Sequence, residues 1–476
     1  MRNHRLASLL IALSLVAAAC GARLSDQQLS AMRSSNGGAR QAVTPDGDAA
    51  PATDASVATT TPGQDNDTSD GGATATTLGS SRSAAVDPRK LPPGGNGGAT
   101  DVGVTATSIT LGNVSTLTGP VPGLFAGAVV GTQAFVAYQN SLGGLYGRKF
   151  KLDARDDQFD TGENRSHVVD LLGKAFAFVG SFSLYDDATN AEIRQSNIPD
   201  MVSTISQGRT QLPNNFALQA VIPGAPTGPF NYFKSKNPAA ISKVGTVSVN
   251  IPSAAAAYRG FKASAQSVGY KFIYEREISA TETDFTSDVI RMRDSGVKMV
   301  YLLAVDDKST ARFAKAMAAQ NFRPEIFAAQ AFAYDADVIT LAGSAANGLY
   351  VTMANAMYSG EDADTIPEVA LMDKWIQTVK PGFVPDLYAA DGWGQGQLLV
   401  EAMKAVGPRL TRAAVNEAVR KIGVFDNRGL FPPSNPGAKI PSTCFLLVRV
   451  VNGKYTRHDS PPTGYKCDNS SYFLMR

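Results

Sequence analysis

Histidine and cysteine are scarce in this 476-residue chain, three of each, and tryptophan is scarcer still at two. One histidine, His4, lies in the first twenty residues, so two are left for any folded part. That is a poor supply for a Ser-His-Asp site or a zinc site. Acid–base chemistry by carboxylates stays open. Charge of one sign is also lacking, with 44 basic and 42 acidic residues. The chain therefore carries no polybasic footprint for nucleic acid and no general attraction to an anionic membrane surface. Its longest apolar run, residues 6–19, is short of the roughly 20 residues that span a bilayer. No G-x-G-x-x-G is present. Gly392-Trp393-Gly394-Gln395-Gly396 alternates glycines without a preceding strand, which predicts close helix packing, and no cofactor is expected.

What is there begins with an export signal over residues 1–19. Arg2, His4 and Arg5 form its basic start, residues 6–19 its apolar core, and Ala17-Ala18-Ala19-Cys20-Gly21 the cleavage region. Two readings of Cys20 stand. In one it is a free N-terminal thiol of a secreted or periplasmic protein. In the other it is acylated, as in the bacterial lipoproteins that A-A-A-C-G resembles, and it anchors an exported protein to the membrane. Residues 20–101 are rich in Ala, Thr, Ser, Gly, Asp and Pro and lack aromatic residues, with six Asp and no base from Asp46 to Asp70. Such a segment cannot bury enough apolar surface to offset chain entropy, so a disordered tether is expected. As a flexible coil it would reach roughly 50 Å. If Cys20 carries lipid, Cys444 and Cys467 remain. In an oxidising compartment they are expected to pair, two buried thiols being the alternative.

From residue 102 onward, short apolar strands alternate with helical stretches. Strand-like runs fall at 109–114, 149–156, 176–182, 200–205, 243–250, 271–277, 299–305, 325–329 and 348–353. Helical runs lie between them. In the run 285–295, Phe285, Val289 and Met292 follow the i, i+4, i+7 rule. This pattern predicts an α/β fold with doubly wound, largely parallel sheets, and 375 residues suffice for two lobes. In such sheets ligands sit at the carboxyl ends of strands. Three hydroxyl-rich strand ends are legible: residues 115–125, 180–187 and 203–208. They are either ligand loops or helix caps satisfying their own backbone. His167 reads as a helix-surface residue and Asp156-Asp157 as a structural loop.

One ordered set of motifs is more specific. Leu117-Thr118-Gly119-Pro120 follows the first strand, Gly143-Gly144-Leu145-Tyr146-Gly147 ends the first helix, and Asp156-Asp157 ends the second strand. In this order and spacing the chain resembles the type I periplasmic solute-binding proteins, especially the leucine/isoleucine/valine-binding components of ABC importers. The resemblance implies two Rossmann-like lobes joined by a hinge. Lobe 1 would take 102–221 and 348–430, and lobe 2 would take 222–347 and 431–476. The strand at 348–353 would return to lobe 1. A small polar solute would bind between the lobes, close the hinge and pass to an ABC-type membrane permease.

Carried over residue by residue, the family's ligand-carboxylate loop falls on Ser183, Leu184 and Tyr185, where its usual Ser-Ser pair is Leu184-Tyr185. Its second loop falls on Ile205, Ser206 and Gln207. In lobe 2 its aromatic binders fall near Ser253 and Val305. Its amine-binding glutamate falls on Ala331, beside Gln330. Asp306 or Asp186 could take the amine in its place, and Phe125, Tyr185 or Phe332 could pack on a neutral or aromatic ligand. A ligand sensor on the same fold is the alternative function, and an enzyme is disfavoured by the missing histidines.

Overall fold

The computed structural model describes residues 87–475 except Ile205. The export signal, Cys20 and most of the expected tether lie outside these residues. In chain order the first part runs β1 (Ser108–Ser115), α1 (Ala126–Ser141), β2 (Lys149–Asp156), α2 (Thr161–Leu172), β3 (Ala177–Val179), α3 (Asn190–Ser196), β4 (Asp200–Met201) and α4 (Gln207–Thr210). Next come β5 (Gly224–Pro226), α5 (Gly228–Lys236), β6 (Val244–Val249), α6 (Pro252–Ser267), β7 (Phe272–Ile278), α7 (Thr286–Asp294), β8 (Met299–Leu302), α8 (Asp307–Ala319), β9 (Ile326–Gln330) and α9 (Ala336–Ala342). The last part is β10 (Tyr350–Met353), α10 (Pro367–Val379), α11 (Leu387–Val406), α12 (Arg412–Arg420), β11 (Leu446–Val451), β12 (Lys454–Arg457) and β13 (Tyr472–Leu474).

These strands make two main sheets. The smaller has the order β2-β1-β3-β4 and is parallel throughout. The larger runs β12-β11-β10-β9-β8-β6-β7, parallel except for its antiparallel β11 and β12. Strand order that jumps across the sequence, with helices between, is the doubly wound arrangement that the alternating pattern predicts.

Two expectations need correction. The strand at 348–353 does not return to the first sheet. As β10 it lies in the larger sheet between β9 and β11, with Tyr350 opposite Ala328 on one side and Arg449 on the other. Local periodicity marks a strand but holds no record of its neighbours. The chain leaves the larger sheet only after β10, where Ala356 donates its N–H to the Leu430 carbonyl at 2.8 Å. Two further crossings run beside this one, the first after β4 and the last ahead of β11, and they are bonded to each other. Ser434 Oγ donates to the Leu218 carbonyl at 2.6 Å, and Gln219 Nε2 to that of Pro432 at 3.1 Å.

Nor does the unstructured stretch extend to residue 101. The guanidinium of Arg148, fully buried, donates to the carbonyls of Asn96, Gly98, Thr105 and Pro408 at 2.6–3.0 Å. Asn96 in turn donates from Nδ2 to the Ala106 and Tyr146 carbonyls. A Gly- and Pro-rich strap supplies little apolar surface, but its free carbonyls are what a buried cation needs.

Helices α1 and α11 pack along a seam of glycines. A Cβ on Gly131 would fall on the Ala389 carbonyl oxygen, one on Gly392 would meet the Ala128 carbonyl oxygen at 2.8 Å, and one on Gly396 would enter the Phe135 ring. The alternating glycines of residues 392–396 thus serve close helix packing, as expected, Gly392 against backbone and Gly394 and Gly396 against side chains. Cys444 and Cys467 form a disulfide.

Candidate functional site

The site grows from the carboxyl ends of β1, β3, β4, β8 and β9. Polar side chains fix the first two strand ends. Asn113 Nδ2 donates to the Val179 carbonyl at 2.9 Å, and Ser115 Oγ accepts from the Phe182 N–H at 3.0 Å. The Thr116 carbonyl then receives the Phe125 N–H just ahead of α1. This brings Phe125 and Phe182 together with Tyr388, in the first turn of α11, at ring separations of 4.6–4.7 Å. Leu124 and Leu184 complete a small apolar wall, partly open, at the strand ends.

Carboxylates stand around this wall. Asp386 caps α11, accepting the Ala389 N–H at 2.7 Å. Its carboxylate lies over Gly127 in the first turn of α1, in the space a Cβ would fill. On the second sheet Asp306 caps α8 by accepting the Ser309 N–H at 2.8 Å, and Asp335 caps α9 by accepting that of Asp337 at 2.8 Å. The carboxylate oxygens of Asp307, Asp335 and Asp337 lie within 4.8 Å of one another. Lys308 sits 3.8 Å from Asp337 and is the ion-pair partner of this group.

The two sides share one electrostatic space. Burial, and then the carboxylates of Asp386, Asp307, Asp306 and Asp335, hold the Tyr388 phenol well above its usual range. Burial pushes Asp386 up to about 7, with Asp335 adding to the rise. Burial also raises Asp307, reinforced by Asp335, Asp306 and Asp337, and it raises Asp335. Asp391, one turn into α11, is pushed to about 7 by burial despite a hydrogen bond with Ser203. Acids raised together in this way lack enough positive charge nearby. An ammonium entering between them would supply it, and the aromatic wall would cover an apolar body.

Several residues expected to touch a ligand do structural work. The Ser183 hydroxyl donates to Asp157 and accepts from Asn164 Nδ2 at 3.1 Å and from the Tyr185 N–H at 3.0 Å. One donor and two acceptor positions are all a serine has, so Ser183 positions Tyr185. Tyr185 is half-buried with its ring edge on Phe159 at 5.6 Å. Ser206 caps α4 through the Arg209 N–H at 3.3 Å, and Gln207 is half-buried beside it. Ile205 lies outside the described residues. Asp186 is buried; Thr204 donates to its carboxylate and Arg209 to its carbonyl, and burial pushes it up to about 7. Val305 is core at 2% exposure. Gln330 accepts the Ala304 N–H at 2.8 Å and so shapes the β8 end. Ser253 begins α6 with its Oγ buried and without a partner. Ala331 and Phe332 are half-buried on the turn after β9. Phe125 stands in the wall and Asp306 in the acidic group.

Sequence reasoning passed over Phe182, Asp335, Asp337, Asp386, Tyr388 and Asp391. Pro385-Asp386 does carry a helix-start signal that places an acid at the head of α11.

Comparison with known proteins identifies the family and the fold. The sequence profile described as periplasmic binding protein matches residues 108–454. The chain belongs to the periplasmic binding protein family. Binding a solute outside the cytoplasm is the function of this binding protein. Its fold is shared by a fatty acid ABC transporter substrate-binding protein from Thermomonospora curvata, with a TM-score of 0.68, 20% identity, and coverage of 80% of this chain and 97% of that one. It is also shared by a branched chain amino acid ABC transporter protein from Thermus thermophilus with bound valine, at a TM-score of 0.66 and 15% identity, over 76% of this chain and 97% of that one. A leucine binding protein from Thermotoga maritima aligns at a TM-score of 0.60 and 15% identity, over 74% and 97%. A search of the curated proteins by sequence finds no match. Among the described residues no helix is long and apolar enough to cross a membrane.

Proposed function

We propose that this chain is the solute-binding component of an ABC importer and that its solute carries a protonated amine on a partly apolar body. The amine would lie among Asp306, Asp307, Asp335 and Asp386, and the apolar body against Phe125, Phe182 and Tyr388. The lobes would be 102–221 with 354–430, and 222–353 with 431–476. Cys20 would carry the lipid that holds the protein at the extracytoplasmic face, and the protein would deliver its solute to a membrane permease. The observation that supports the solute class most directly is the set of raised carboxylates facing an aromatic wall. An anionic ligand such as a fatty acid would meet repulsion there. The position of the family's glutamate, Ala331, supplies no charge, and these acids replace it from other elements.

Thermal unfolding in the presence of leucine, lysine, putrescine, phenethylamine and a short-chain fatty acid tests this reading. A ligand at 100 times its dissociation constant adds about 2.7 kcal/mol to stability. A shift is expected with at least one of the amines and none with the fatty acid. Stabilisation by the fatty acid alone would overturn the solute class.

A further inference from the structure

The larger sheet is covered unevenly. On the side of α5 and α6, the rings of Phe230, Phe233 and Tyr258 pack with Val244, Tyr301 and Ala328 of its inner strands. This cover ends at Tyr350 of β10, whose ring meets Phe233 at 5.5 Å. Beyond it β11 and β12 turn an open face to solvent. Register sets Tyr350 opposite Arg449, Arg449 opposite Thr456, and Val451 opposite Lys454, so these five side chains share one face. Val451, Lys454 and Thr456 are exposed and Arg449 is half-exposed, while Val448, Val450 and Tyr455 are buried on the other face.

That face is basic. The Arg449 guanidinium lies 4.9 Å from the Tyr350 ring, and among the described residues no ion pair engages it or Lys454. At the rim Lys236 and Lys466 approach the Tyr232 ring at 5.5 and 5.8 Å. The acid among them is Asp459. Its carboxylate pairs with Lys236 at 2.8 Å, and its backbone carbonyl takes the Lys466 ammonium at 2.7 Å. Tyr232 and Tyr350 are half-exposed beside these bases.

The local balance differs from that of the chain. Four bases and one acid leave three positive charges here, whereas all 476 residues together net +2. The His458 imidazole, 5.2 Å from the Tyr350 ring, feels this field. Burial first and then Arg449 hold it below its ordinary range, with Lys236 adding to the fall and Asp459 opposing it. Like charges gathered on one face repel one another, and an anionic surface laid against them removes that cost.

We infer that the open face of β11 and β12 docks on an anionic lipid surface, its bases among the phosphate headgroups and Tyr232, Tyr350 and Val451 at the interface. The charges stand on long side chains across a sheet face rather than around a cleft. A layer of headgroups meets such charges in any register, whereas a folded acidic partner needs a fitted surface. Tyrosine beside lysine and arginine is also the composition of membrane–water interfaces. Each base near an anionic leaflet is worth roughly fivefold in affinity. The inference depends neither on the amine reading of the strand-end site nor on acylation of Cys20.

Amide exchange of the full chain on vesicles of phosphatidylglycerol and of phosphatidylcholine reads the contact segment by segment. Exchange in residues 450–456 is expected to slow several-fold on phosphatidylglycerol and to stay unchanged on phosphatidylcholine. The slowing should vanish near about 1 M salt, where the Debye length is about 3 Å. Arg449→Ser with Lys454→Ser should raise the lipid concentration that gives half the slowing by roughly 25-fold. Lys315→Ser with Arg323→Ser removes the same charge at exposed positions in and after α8, which packs on the other face of the sheet, and should change nothing. Equal slowing on both lipids, none on either, or the same loss from both double variants would overturn the inference. So would slowing that needs no vesicles and grows with protein concentration, which would assign the face to a second copy of this chain.

Discussion

Asp386 shows how one side chain can serve structure and ligand at once. Its carboxylate caps α11 and also feels the charge of Asp335 in the acidic group. Its folded pKa, about 7, stands above the value near 3.9 of an unfolded aspartate. A raised carboxyl takes up protons more readily in the folded state, so its contribution favours folding at low pH. That contribution is lost as pH rises from about 4 through about 7. The raised Asp307 and Asp335 act in the same direction. Stability of the ligand-free protein is therefore expected to fall over this window. Asp386→Asn, which keeps a capping oxygen, should flatten the fall. An amine ligand should bind more tightly as pH rises and should release protons on binding. Urea midpoints and calorimetry in two buffers of different ionisation heat check both signs. The single hydroxyls were harder to read. Ser183 and Ser206 are legible as strand-end residues, yet the Ser183 hydroxyl gives its proton to Asp157 and its lone pairs to Asn164 and the Tyr185 N–H, and Ser206 accepts the Arg209 N–H of its own helix. Which side of a hydroxyl is free depends on neighbours far apart in sequence.

Helices α1 and α11 bring Phe125 and Tyr388 together at the strand-end site, and their contact is set by what glycine omits. The alternating glycines at 392–396 foretold this approach from sequence alone, as the helical and strand periods foretold most elements. Gly131 is the sharper test because its missing Cβ faces backbone. Gly131→Ala would force the Ala389 carbonyl and the start of α11 to move. The expected loss is about 1–3 kcal/mol from overpacking, set against the smaller helix-propensity gain of alanine. Because Asp386 and Tyr388 ride on that end of α11, affinity for the solute should fall together with the urea midpoint. An unchanged affinity would separate the helix seam from the site. The place of β10 was not legible by the same means. Its residues alternate like those of any buried strand, and its partners, β9 and β11, are separated from it by about twenty and about ninety residues of chain.

At the scale of the whole molecule, the C-terminal segment ties the first crossover to the larger sheet, and the disulfide holds that segment in place. β13 pairs antiparallel with β5, directly after the crossover at 222–223. Tyr472 donates its hydroxyl to the Ile222 and Gly224 carbonyls at 3.1 and 3.3 Å. Gly224, at φ +121°, leaves room for the Phe473 carbonyl where a side chain would collide. Cys467 enters this segment and Cys444 precedes β11, so the bond closes a loop with a sequence separation of 23. The chain-entropy relation gives about 3 kcal/mol for a loop of that size. Cys444→Ser with Cys467→Ser is expected to lower stability by about that amount. The loss should fall unevenly. Amide exchange should rise first in residues 222–228 and 468–475, whose backbone bonds depend on the C-terminal segment, while β1 to β4 keep their protection. Solute affinity should also fall, because a crossover freed from β13 adds entropy that closure must remove. If exchange instead rose evenly over both sheets, the disulfide would be a general staple of the fold and the C-terminal segment would have no separate hold on the crossover.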